Sequence, residues 1–113
     1  PVVGESHYQR NLAALAGGKT DESVELYGLA SLVPEPANPY DRNAVRVEIN
    51  GLQVGHLSRE DAATYQGAAR RGGFLRSVAG CSCVIVGGWD RGARGSGHFG
   101  VYLDLAWPPK LRR

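Results

Sequence analysis

The chain has 113 residues, 42% of them hydrophobic and 21% charged, with a formal net charge of +2, which fits one compact domain and excludes a multidomain enzyme. Sixteen glycines and six prolines make up about a fifth of the residues, so turns are frequent, regular elements are short, and a small β-rich or α+β domain is favoured. No apolar run approaches the roughly 20 residues that span a bilayer, and Cys81 and Cys83 lie too close together for a disulfide framework, so the expected setting is intracellular and reducing, cytoplasmic or nucleoid in a bacterium.

Taken in chain order, Val2 and Val3 read as a short strand, and Ser6-His7-Tyr8-Gln9 has the Ser-x-x-Gln form of a capping box opening a helix over 7–16, ended by Gly17-Gly18. Ser23–Val33 reads as a long or bent strand with Gly28 at the bend. Three prolines between Pro34 and Pro39 forbid helix and central strand and predict a stiff exposed loop. Val45, Val47 and Ile49 alternate with polar residues, Asn50-Gly51 supplies a two-residue turn, and Leu52, Val54 and His56 resume the alternation. The hairpin so formed would pair Ile49 with Leu52, Val47 with Val54 and Val45 with His56, leaving His56 on the apolar face. Ser58 caps a second helix with Glu60 and Asp61 in its first turn; Ala62, Tyr65 and Ala69 face inward, and Gly72-Gly73 stops it. Val78–Val86 and Phe99–Leu105 read as strands joined by a glycine-rich loop carrying Arg91 and Arg94, and Pro108-Pro109 ends the domain. The expected fold class is mainly β, a small antiparallel barrel with helices against its openings.

Charge is unevenly shared. Residues 1–61 hold nine acids against five bases, net −4, and residues 62–113 hold two acids against eight bases, net +6. The second half can present an anion with a one-sided surface, and eleven of the thirteen basic residues are Arg, which suits bidentate phosphate contact. Pro1 and the absence of Met fit a piece of a longer polypeptide better than a processed protein. Two thiols at C-x-C spacing lack the four ligands zinc needs, and the dispersed His7, His56 and His98 define neither a triad nor a Cys/His pair, so neither metal, cofactor nor enzymatic activity is expected. Asn38-Pro39-Tyr40-Asp41-Arg42-Asn43-Ala44 differs in kind. Pro39 restrains Asn38, the Asp41 and Asn43 side chains can fold back on neighbouring amides, and Tyr40 is either displayed for stacking or folded onto the core.

The segments Val3-Gly4-Glu5, Pro34-Glu35-Pro36-x-Asn38-Pro39-Tyr40-Asp41-x-Asn43-Ala44-Val45-x-Val47 and Val54-Gly55-His56-Leu57-Ser58 resemble the HIRAN domain family over about residues 1–106. The resemblance implies an OB-like β-barrel over residues 1–107 with two short flanking helices, followed by a basic tail or linker at 108–113. It also implies a non-catalytic module that binds single-stranded DNA at a free 3′-hydroxyl end, in repair or replication-fork processing, attached to a helicase or nuclease module or partner. Carried over, Tyr40 would stack on the terminal base, Asp41 accept the terminal sugar hydroxyl, His56 and Arg59 hold phosphates, and Phe99 stack from the other side. Where some family members carry Arg then Tyr near the end of the first strand, this chain has Ser6-His7 followed by Tyr8. That places His7 and Tyr8 beside the pocket and leaves the missing phosphate contact to Arg10, Arg91 or Arg94. A protein-interaction module that lost DNA binding is the alternative.

Overall fold

A computed structural model describes residues 2–73 and 77–104. The elements are β1 (Val2–Val3), a 3-10 turn (Glu5–Tyr8), α1 (Gln9–Ala16), β2 (Val24–Pro34), β3 (Val45–Ile49), β4 (Leu52–Leu57), α2 (Arg59–Gly72), β5 (Ala79–Gly87), a second 3-10 turn (Gly92–Arg94) and β6 (Phe99–Asp104). The strands form one antiparallel sheet in the order β1-β4-β3-β2-β5-β6, curled into a nearly closed barrel, so the mainly β expectation holds. Leu105 and the expected tail at 108–113 lie outside the described residues. No described helix is long and apolar enough to cross a membrane.

Local signals place most of these elements. Asn50 and Gly51 both take positive φ, 51° and 79°, which a two-residue hairpin turn of matching twist requires. The Ser58 hydroxyl accepts from Asp61 N at 3.1 Å and opens α2, whose Ala62, Tyr65 and Ala69 are buried as their spacing predicts. β2 pairs with β5 continuously from Val24 to Leu32, so Gly28 does not break the ladder. Leu12, Leu32, Val45, Val47, Val54, Tyr65, Phe99 and Val101 are the largest side chains wholly inside.

Two details correct the sequence reading. The first helix is not capped by Ser6: a 3-10 turn precedes α1, and neither element has a side-chain cap. The Gln9 amide donates back to Glu5 O at 2.9 Å and also reaches across to β6. Its Oε1 accepts from Phe99 N at 2.8 Å and its Nε2 donates to Phe99 O at 3.0 Å, while Glu5 Oε2 accepts from Val101 N at 3.2 Å. Side chains of the 3-10 turn and α1 thus stand in for a neighbouring strand on the outer edge of β6 and close the barrel.

β4 also departs from the expected pairing. Ile49 faces Leu52 as expected, but Val54 is an extra residue, so Val47 pairs with Gly55 and Arg46 with His56. The bulge lets Val54 and Leu57 both be buried and turns His56 away from the apolar face it was expected to share. β1 passes close beside the bulge: a Cβ on Gly55 would stand 2.6 Å from Val3 O, so only glycine lets the first strand press in here.

Candidate nucleic-acid interface

The β2–β3 connection is built from residues that satisfy one another's backbone. Glu35 N donates to Ala44 O at 2.9 Å and continues the strand pairing beyond Pro34. Asn38 Oδ1 accepts from Tyr40 N at 2.9 Å and Asp41 N at 3.1 Å, and Asp41 Oδ1 accepts from Asn43 N at 2.9 Å. These side-chain turns, with proline on both sides of Asn38, hold the loop open, and Tyr40 projects at 86% exposure. Around it lies a shallow hollow of about 470 Å³ lined by residues 36–42.

The start of α2 braces this loop. Arg59 Nη2 donates to Tyr40 O at 2.9 Å and its Nε lies 3.7 Å from Asp41 Oδ2, while the guanidinium stays largely exposed. Gln66, buried in α2, reaches Asn43 O at 3.5 Å. On the other side Glu35 Oε1 meets His56 Nε2 at 2.8 Å and Asn38 Nδ2 at 3.2 Å, and its Oε2 lies 3.5 Å from Arg46 Nη1. Arg46 also pairs with Glu48. Partial burial alone would raise the Glu35 carboxyl, but hydrogen bonds from His56, Asn38 and Arg46 and the charge of His56 outweigh it and hold the group below its ordinary range.

Four of the residues singled out in the sequence, Tyr40, Asp41, His56 and Arg59, are therefore brought together. His7 is exposed and Tyr8 half-buried on the 3-10 turn, which packs against β4, the strand that carries His56. Phe99 is placed differently: its ring is 2% exposed, it sits against Gly88, and the Lys19 amine lies 5.8 Å from its centre. Glu35, Asn38 and Arg46 join the site without a role that their sequence positions announced. Asn38-Pro39 was a visible turn signal, but nothing in the spacing joined Glu35 to His56 before the bulge did.

An exposed aromatic ring beside a guanidinium, an imidazole and a carboxylate can stack on a base, contact phosphate and accept from a sugar hydroxyl. Among the described residues no three His, Cys, Asp or Glu side chains gather as metal ligands. On this small antiparallel barrel the braced loop displays Tyr40 and Asp41, with His56 of β4 and Arg59 of α2 beside it. The chain belongs to the HIRAN domain family, whose profile matches residues 6–83. HIRAN domains are generally DNA-binding modules and are not catalytic by themselves.

The chain is similar to helicase-like transcription factor of Mus musculus, 56% identical over 36 residues, which is 31% of this chain and 4% of that protein. It is also similar to the proteins of that name from Oryctolagus cuniculus, 53% identical over 36 residues (31% of this chain, 4% of that protein), and Homo sapiens, 52% over 33 (28% and 3%). The chain thus matches only a few per cent of these relatives' length. No solved structure matches at a significant level.

Proposed function

We propose that this domain binds the free 3′-hydroxyl end of single-stranded DNA, serving repair or replication-fork processing carried out by an attached or partner helicase or nuclease module. The observation that carries this reading is the displayed Tyr40 ring, whose backbone is held by Asn38 from within the loop and by Arg59 from α2, with the Asp41 carboxylate next to it. The terminal base stacks on Tyr40 and the terminal sugar hydroxyl donates to Asp41. His56 and Arg59 take the adjoining phosphates, and His7 and Tyr8 border the strand's path. A 3′-phosphate in place of the hydroxyl meets the Asp41 carboxylate as a like charge and offers no proton to it. The buried Phe99 ring stacks on a base only after leaving its place under Gly88, so Tyr40 carries the stacking in the conformation described here.

The experiment is a binding comparison of labelled single strands ending in a 3′-hydroxyl, the same strands ending in a 3′-phosphate, and RNA of the same sequence. Tighter binding of the 3′-hydroxyl DNA, with a salt dependence of only about one to three released counterions, is the expected result. Equal binding of both DNA ends overturns the end-recognition reading.

A further inference from the structure

β2 outruns one of its neighbours. β5 follows it from Val24 to Leu32, but β3 pairs with it only from Ala30 to Pro34, because the hairpin turns back at Asn50-Gly51. Among the described residues, the edge of 24–29 on the β3 side has no strand beside it. Neither proline, lysine nor a register break blunts this stretch, although exposed edges are ordinarily protected by such devices.

Both faces next to the free edge are apolar. On the outer face Tyr27 is 78% exposed and Leu29 is 73% exposed, and the register carries the Tyr27 row across Val84 to the exposed Tyr102. On the inner face Leu26 stands with Leu15 of α1 and Ile49 of the hairpin around an opening of about 220 Å³. A strand laid along the edge sends successive side chains to opposite faces, so one enters that opening and the next lies on Tyr27 and Leu29.

The border is acidic. Glu22 precedes the edge, Glu25 lies within it on the Tyr27 face, and Asp104 ends the row that runs from Leu29 through Ser82. Among the described residues none of the three is in an ion pair, and the Glu25 carboxylate accepts the Tyr27 hydroxyl. This sign opposes a phosphate chain and favours a cationic one.

We infer that the β2 edge is a protein-docking site that takes, by strand addition, an extended segment of a partner protein with β-branched or apolar side chains at successive positions and Lys or Arg beside them. Backbone pairing supplies affinity, the opening beside Leu26 selects one apolar side chain, and the carboxylates select the flanking charge. The site is separate from the Tyr40 loop and does not depend on how DNA is bound.

The test uses the amide-labelled chain and two synthetic peptides of alternating valine and threonine, one ended by lysines and the other by glutamates. The lysine-ended peptide is expected to shift the amides of residues 24–29 and to bind at least about tenfold tighter than its counterpart, with the preference lost in high salt. Leu29→Arg, at an exposed position, is expected to abolish this binding while the remaining amide spectrum stays in place; Tyr27→Ser gives a second reading should the first variant not fold. Tyr40→Ala is expected to leave peptide binding unchanged. Equal binding of the two peptides, binding of neither, or shifts that avoid residues 24–29 overturn the proposal. So does self-association in sedimentation that Leu29→Arg reverses, which would make a second copy of the chain the occupant.

Discussion

His56 and Glu35 face each other at 2.8 Å across the base of the Tyr40 loop, and the same carboxylate oxygen also receives Asn38, whose own side chain holds the Tyr40 and Asp41 amides. One carboxylate therefore links the imidazole on β4 to the turn that displays the aromatic ring. Glu35→Gln keeps the volume and removes the charge, and we expect it to lower stability by about 1–3 kcal/mol in denaturant unfolding. We also expect weaker DNA binding, because the turn loses its anchor. A variant as stable as the parent would show that the linkage is dispensable.

The same contact sets a pH dependence. The folded state holds the Glu35 carboxyl below its ordinary value of 4.5, so folding favours the ionised form. The contribution is complete above the ordinary carboxylate range and is lost as pH falls through the lowered folded value, where the unfolded chain binds the proton more readily. Urea midpoints followed from neutral to acid pH are expected to show the difference between parent and Glu35→Gln shrinking as the medium becomes acidic. A difference that stays constant over that interval contradicts the assignment.

Tyr40 separates binding from folding. Its ring is 86% exposed, so Tyr40→Ala is expected to change stability by no more than about 0.5 kcal/mol. Loss of a stacked base is expected to cost about 1–3 kcal/mol of DNA affinity, to be read by fluorescence anisotropy. A fully retained affinity would remove Tyr40 from the interface.

Phe99 behaves in the opposite way. Phe99→Ala empties a buried site and is expected to destabilise by about 3–5 kcal/mol. Gly88→Ala is expected to destabilise as well, since Gly88 sits at φ +71° and an added Cβ collides with the Phe99 ring. Thermal melts of both variants, taken alongside DNA titrations, show whether any loss of binding simply tracks loss of fold.

Gln9 tests the closure of the barrel. Gln9→Ala leaves Phe99 N and O without their side-chain partner, and the expected cost is about 1–3 kcal/mol. Faster amide exchange confined to β6 is the accompanying sign; unchanged exchange there would mean that the edge finds another partner.

The turn at Asn50-Gly51, the Ser58 cap and the Asp41 side-chain turn of the Tyr40 loop were legible in the sequence because each is made by groups one to three residues apart. Alternation and helical spacing likewise marked the buried faces of β3 and α2. Such features need no partner from elsewhere in the chain. Only the tertiary structure decided that His56 leaves the apolar face, since the bulge at Val54 puts it opposite Arg46, with β1 packed close on the neighbouring Gly55. It also decided that Gln9, besides donating to Glu5 O in the turn before it, serves Phe99, ninety residues away. Those outcomes depend on which strands the closing sheet brings side by side, because a polar group drawn into the barrel takes whatever donor or acceptor arrives there.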